Sequence, residues 1–281
     1  MDNTRRDPVA TGEWLADHLG DPDLVVADLR WYLDGRSGRT AYDGGHIPGA
    51  VFVDLDVDLA DPPSTSGGRH PLPSPERFAA NMSALGIGDT TRVVAYDDAD
   101  GVIAARLWWM LDVLGQQALV LDGGIDAWTG PLESGSPDVA ARSFTPRPWP
   151  AERVATADEV EAARHDATVI IDARSADRYA NGAPVDPRPG HVPGARSAPA
   201  TDNLTDGRFR SGAALTDHYG ALGAHDHPVV AYCGSGVTAC TDLLGLRRAG
   251  LPDGRLFVGS WSAWGADLER PAQVGADQAN D

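Results

Sequence analysis

Cysteine is scarce in this chain: 281 residues carry two, Cys233 and Cys240. Two thiols cannot complete a four-ligand zinc site. A pair this close, across a loop and a helix start, makes a poor disulfide framework. Residues 1–8 are polar and hold no apolar signal core. No run approaches the ~18 apolar residues that a membrane span needs. Positive charge is short as well, with 23 Lys and Arg against 41 Asp and Glu and a formal net charge of -18. Such a surface repels nucleic acid and anionic membrane, so neither is an expected partner. It also obliges an anionic substrate to find a locally basic pocket. Together these absences lead us to expect a soluble protein of a reducing compartment, the cytoplasm.

What is present is ordinary globular material: 42% hydrophobic residues, 23% charged residues and 8 Trp. The length suits two domains of about 100–200 residues each. Apolar strands are expected at 24–28, 51–55, 92–96 and 119–121. Helices are expected from Thr11 or Gly12, from Pro75 behind a Ser74 cap, and over 103–114. The second half gives helices at 160–164 and 237–248, with strands at 168–172, 229–232 and 256–258. Residues 61–75, rich in Pro, Ser and Gly, read as loop.

The two halves repeat one another. Asp28-Leu29-Arg30 returns as Asp172-Ala173-Arg174, and His46-Ile47-Pro48-Gly49-Ala50 as His191-Val192-Pro193-Gly194-Ala195. Val93-Val94-Ala95-Tyr96 returns as Val229-Val230-Ala231-Tyr232, and Trp128 as Trp264. Four anchors in one order imply a tandem α/β pair, each copy a largely parallel central sheet flanked by helices. The expected layout is a first domain over 8–130, a linker over 131–153, a second domain over 154–271 and a polar tail over 272–281.

Chemistry concentrates where the copies differ. Strand 229–232 runs into Cys233-Gly234-Ser235-Gly236-Val237-Thr238 and then a helix. Loop amides and the positive end of a helix both favour a thiolate. A lone cysteine is otherwise just a small residue ending a core strand. The first copy has Asp97 at this point, followed by Asp98-Ala99-Asp100-Gly101. A carboxylate there would fill a cradle built for an anion, so the first copy keeps the fold and loses the reaction. His46 and His191 stand in matched turns of both copies and read as structural. Cys240 reads as a small core residue.

These motifs resemble the two-domain rhodanese-like sulfurtransferases over roughly residues 8–270. The markers are the Asp-x-Arg strand ends, the Gly-His-Ile/Val-Pro-Gly-Ala turns, the Cys-Gly-Ser-Gly-Val-Thr-Ala loop and the closing Gly-Ser-Trp-Ser-Ala-Trp. The resemblance implies a silent N-terminal copy and a C-terminal cysteine that cycles between thiolate and persulfide. The neutral Gly234-Ser235 pair looks like the 3-mercaptopyruvate branch rather than the thiosulfate branch, which places basic residues after the cysteine. That branch implies two arginines for the donor's carboxylate and oxo group, here Arg178 and Arg188. Gly234, Gly236, Val237 and Thr238 would hold the sulfur, and Ser235, His70 and Asp56 would move the donor's proton, with Asp54 or Asp58 as substitutes for Asp56. The expected activity is transfer of sulfane sulfur from 3-mercaptopyruvate through a Cys233 persulfide to a thiol, thioredoxin or cyanide, with release of pyruvate and no metal or organic cofactor. Thiosulfate sulfurtransferase, a non-catalytic persulfide carrier and a cysteine phosphatase are the alternatives. The last would want an arginine where Ala239 stands.

Overall fold

The computed structural model describes residues 7–276. Residues 1–6, and 277–281 of the expected polar tail, lie outside them. The chain divides into two compact units whose boundaries do not follow chain order. One unit runs to Asp61 and takes in Pro73–Pro150 and Asp206–Phe209. The other holds Pro62–Leu72, Ala151–Thr205 and the chain from Arg210 onward.

The first unit runs β1 (Val9–Ala10), α1 (Gly12–His18), β2 (Leu24–Asp28), α2 (Gly38–Gly44), β3 (Val51–Phe52), α3 (Leu55–Asp58), α4 (Pro75–Ala84), β4 (Arg92–Tyr96), α5 (Ala105–Val113) and β5 (Ala118–Leu121). Its strands lie in the order β1-β5-β4-β2-β3, every pair parallel. The later part of the chain gives β6 (Val154–Ala155), α6 (Ala157–Ala163), β7 (Val169–Asp172), α7 (Ala176–Asn181), β8 (Arg196–Ser197), and the short β9 (Leu204–Thr205) and β10 (Arg208–Phe209). Then come α8 (Gly212–Ala221), β11 (Val229–Tyr232), α9 (Ala239–Arg248), β12 (Arg255–Phe257) and α10 (Ser260–Trp264). The second sheet is ordered β6-β12-β11-β7-β8 and is also parallel throughout. The expected repeat is thus a repeat of topology. Its central strands read as unbroken runs of Val, Ile and Ala because a parallel sheet is covered on both faces.

Short polar signals set the helix starts. Thr11 Oγ1 accepts from Trp14 N–H at 3.1 Å, and Ser74 caps α4 ahead of Pro75. Helix α6 starts at Ala157, earlier than expected, because Thr156 and Glu159 form a reciprocal capping box. The strand expected over 51–55 stops at Phe52. Asp54 turns the chain into α3 by accepting from Asp56 and Val57 N–H at 2.9 and 3.2 Å. Helix α9 starts at Ala239 rather than 237, after a loop in which Gly236 holds a positive φ of 78°. The proline-rich stretch after 131 lies along the first unit, with Phe144 edge-on to Phe78 at 5.7 Å and Trp149 stacked near Trp109.

The matched motifs build one network twice. In the second unit Asp172 accepts from Arg174 Nε at 3.0 Å and Nη2 at 2.6 Å, and Arg174 Nη2 reaches Gly190 O at 2.9 Å. Tyr232 Oη accepts from Val192 N–H at 3.0 Å, and His191 stacks on Tyr179 at 3.6 Å with Nδ1 near Tyr179 O. Asp28, Arg30, Gly45, Tyr96, Ile47, His46 and Tyr42 repeat these roles in the first unit. Both histidines are therefore framework residues, as expected. Breaking a buried pair leaves an uncompensated charge and costs about 3–5 kcal/mol. Asp172→Ala is expected to lower unfolding free energy by about that much in denaturant titrations, and a loss under about 1 kcal/mol would contradict this.

Candidate active site

Cys233 ends β11, and α10 fixes its loop. Trp261 N–H donates to Cys233 O at 3.0 Å and Ser262 N–H to Gly234 O at 2.9 Å. Cys233 N–H donates to Ser260 Oγ at 3.1 Å. Ser260 holds φ at 50°, a left-handed conformation rare for serine, of the kind that clusters at functional sites. The loop then folds back so that Gly236 N–H donates to Cys233 Sγ at 3.1 Å. Only a glycine fits there: besides its positive φ, an added Cβ would lie 2.5 Å from Val258 O. Val237 is buried, and Thr238 leads into α9, whose second residue is Cys240. Cys240 is fully buried, with Sγ 3.5 Å from Gly236 O, a core residue as expected.

The first unit shows what the same place does with a carboxylate. Asp97 Oδ1 accepts from Ala99 and Gly101 N–H at 2.8 Å, and Oδ2 from Ile103 and Ala104 N–H at 2.7 Å. Burial pushes its pKa up, against four amides that favour the ionised form. The side chain's two oxygens take up the four amides that such a loop would offer an anion.

Two guanidinium groups close over Gly234. An added Cβ there would lie 2.5 Å from Arg178 Nη2 and 2.9 Å from Arg69 Nη2. A side chain at 234 would have to displace both, so glycine is what admits them. Arg178 stands on α7, where Ser175 Oγ accepts its N–H at 3.3 Å. Its fork is set by Asp186, which accepts from Nε at 2.8 Å and from Nη2 at 2.5 Å. Asp186 also lies 3.5 Å from Arg174 Nη1. Arg188, expected as the partner of Arg178, is drawn to another task. Its Nη2 donates to Asp267 O at 3.1 Å and Arg270 O at 2.7 Å, and its own carbonyl accepts from Trp261 Nε1 at 3.0 Å. The atoms nearest Gly234 belong to Arg178 and Arg69 instead.

Arg69 was not legible in the sequence as a site residue. It sits in the 62–72 loop, which reads as solvated, and only the fold brings that loop against α10. There Arg69 N–H donates to Ser262 Oγ at 3.0 Å and Gly68 packs against Gly259 O. The same loop delivers His70, buried, with Nδ1 2.8 Å from Ser235 Oγ. Asp56 belongs to the first unit, where its Oδ2 accepts from Trp31 Nε1 at 2.9 Å. Asp54 is the cap of α3, and Asp58 Oδ2 accepts from Asp54 N–H at 2.8 Å.

A tandem α/β protein with an amide-lined cysteine in one copy and a carboxylate in the other has known relatives. A family model for the rhodanese-like domain matches residues 11–131 and 156–267. A Pseudomonas aeruginosa protein named as a probable 3-mercaptopyruvate sulfurtransferase is 41% identical, covering 94% of this chain and 97% of its own. A Mycobacterium tuberculosis protein with a provisional thiosulfate sulfurtransferase name, SseB, is 38% identical over 91% of this chain and 92% of its own. The crystal structure of the Escherichia coli 3-mercaptopyruvate sulfurtransferase SseA superposes with a TM-score of 0.82 at 34% identity, covering 91% of this chain and 99% of that one. The chain belongs to the rhodanese-like domain family. It is a sulfurtransferase. Among the described residues no helix is long and apolar enough to cross a membrane.

Proposed function

We propose that this sulfurtransferase takes its sulfur from 3-mercaptopyruvate, holds it as a Cys233 persulfide and passes it to a thiol, thioredoxin or cyanide, releasing pyruvate. The observation that carries the reading is the Cys233 loop, with Gly236 N–H aimed at Sγ and two guanidinium groups brought to a side-chain-free Gly234. Charge is thus supplied beside the loop rather than from it, which suits a donor whose carboxylate lies away from its sulfur.

In the first half-reaction the Cys233 thiolate attacks the donor sulfur. An S–S bond forms, the C–S bond breaks, and its electron pair passes into the enolate of pyruvate. Arg178 holds the carboxylate and oxo group and faces the charge that develops there. The donor's thiol proton moves through Ser235 and His70 to the enolate carbon, leaving an anionic persulfide that the loop amides stabilise. In the second half-reaction an acceptor attacks the outer sulfur and returns Cys233 to the thiolate. The cycle needs no metal or organic cofactor and gives double-displacement kinetics. A reducing compartment such as the cytoplasm suits a free nucleophilic thiol.

Thiosulfate is the second reading, favoured by the name of the M. tuberculosis relative. Assays of both donors under identical conditions decide between them, with higher kcat/KM for 3-mercaptopyruvate expected. Arg178→Ala is expected to raise KM for 3-mercaptopyruvate about tenfold or more and to affect thiosulfate far less, because a planar fork matches a carboxylate and oxo group best. Equal effects on both donors would refute the carboxylate assignment.

A further inference from the structure

Helix α7 does not by itself decide where the Arg178 guanidinium points. The helix ends at Gly182, whose N–H donates to Arg178 O at 2.8 Å and whose φ is 75°. The chain turns back there and closes on itself. Asp186 N–H donates to Ala183 O at 2.8 Å, and Ala183 N–H to Asp186 Oδ2 at 3.0 Å. That turn brings the Asp186 carboxylate back to Arg178. The Asp186 side chain has no exposed surface, and it accepts from Arg178 Nε at 2.8 Å and Nη2 at 2.5 Å. It also lies 3.5 Å from Arg174 Nη1, so one carboxylate stands between two guanidinium groups. Asp186 therefore occupies the Nε edge of Arg178. Among the described residues no other acceptor is bonded to that guanidinium, which leaves both N–H groups of Nη1 and one of Nη2 free. Those nitrogens form the outer end of the fork. Nη2 is the atom that an added Cβ at Gly234 would meet at 2.5 Å.

We propose that Asp186 is a positioning residue that selects the sulfur donor: it holds the outer end of the Arg178 fork toward the Cys233 loop and balances the charge of that cation. This rests on the reading of Arg178 as the residue that takes the donor's carboxylate and oxo group. A fork held at its Nε edge meets a ligand end-on, and a planar carboxylate matches that end with two hydrogen bonds. The negative charge of Asp186 opposes any anion, and opposes a dianion about twice as strongly as a monoanion at the same place. The favoured class of donor is thus a monoanion recognised by shape, a 2-oxo acid, over a dianion recognised by charge, such as thiosulfate. Specificity of this kind comes partly from an element that repels the competitor.

The test is steady-state kinetics of Asp186→Asn with 3-mercaptopyruvate and with thiosulfate, alone and combined with Arg178→Ala, with Tm measured for each protein. Asparagine keeps the shape of the side chain, but it carries no charge and turns an N–H toward the guanidinium. Asp186→Asn is expected to lower kcat/KM for 3-mercaptopyruvate about tenfold or more, and to leave that for thiosulfate unchanged or raise it. In the Arg178→Ala background the same substitution is expected to lower kcat/KM for 3-mercaptopyruvate by no more than about twofold, since nothing is left to position. A loss of the same size for both donors, whatever the Tm, or a loss undiminished in the Arg178→Ala background, would overturn the proposal. If Asp186→Asn does not fold, Asp186→Glu takes its place, with the charge kept and the carboxylate moved by one methylene. It is expected to lower kcat/KM for 3-mercaptopyruvate about threefold or more with thiosulfate unaffected, and a change within about twofold for both donors overturns the assignment. Failure of the underlying reading looks different. Arg178→Ala alone then leaves kcat/KM for 3-mercaptopyruvate within about twofold, or the unsubstituted protein turns over none of it, and the Asp186 assignment falls with that reading.

Discussion

Cys233→Ser is expected to abolish sulfur transfer, by at least about ten-thousandfold in kcat. Serine is nearly the same size, and Cys233 is 2% exposed, so the loop has no steric reason to rearrange. The Gly236 N–H that meets Sγ at 3.1 Å can still donate to a hydroxyl oxygen. What is lost is chemical. A hydroxyl at neutral pH is hardly ionised and does not form a stable, transferable bond to sulfane sulfur, whereas a thiolate does both. The variant should fold with unchanged Tm, retain donor binding, and show no burst of pyruvate in rapid mixing. Residual turnover near wild type would mean that the nucleophile is elsewhere and that Cys233 is no more than a small residue at a strand end.

Gly236→Ala is expected to be the next most damaging change, and its cause is backbone rather than side chain. Alanine at φ 78° is strained, and its Cβ would sit 2.5 Å from the main-chain carbonyl of Val258, which cannot swing away as a side-chain tip could. The loop must move, and the amide aimed at Sγ moves with it. We expect a loss of about 1–3 kcal/mol in stability and about a hundred- to a thousandfold loss in kcat/KM, the scale of removing one anion-stabilising donor. Gly250→Ala is the matched control. That residue, just past α9, has φ 73° and open space where a Cβ would go. It should show the conformational cost, about 1 kcal/mol, with kinetics unchanged. Similar kinetics for the two variants would show that the Sγ–amide contact is not needed.

The parts of the fold that were legible in the sequence are those where burial leaves no choice. β2, β4 and β11 carry unbroken apolar runs covered on both faces, and their ends coincide with those expected from the sequence. The short elements were not legible. α2 and α7 each bury chiefly one side chain, Tyr42 and Tyr179, and a single tyrosine makes no helical period. β1 and β6 are two-residue edge strands, too short for any alternation to register.

At the site, Cys233 and Asp97 could be found because the repeat aligned them. The relation of His70 to Ser235 came from family likeness, since 165 positions separate them in the chain. Arg69 had no such guide. It lies between Gly68 and His70 in a stretch rich in Gly, Ser and Pro that reads as loop, and its surroundings depend on where that loop packs. Arg188 shows the converse. The resemblance placed the second arginine there, at a spacing one residue longer than the usual pattern, and the carbonyls of Asp267 and Arg270, past the end of α10, accept from its guanidinium.

The central claim is that Cys233 carries the sulfur. It is tested most directly by incubating the protein with one equivalent of 3-mercaptopyruvate without acceptor, and then measuring intact mass and mapping the peptide. The account predicts one added sulfur, about 32 Da, on Cys233, lost on adding a thiol and absent from Cys233→Ser. An unmodified Cys233 alongside released pyruvate, or the added mass on Cys240, would contradict it.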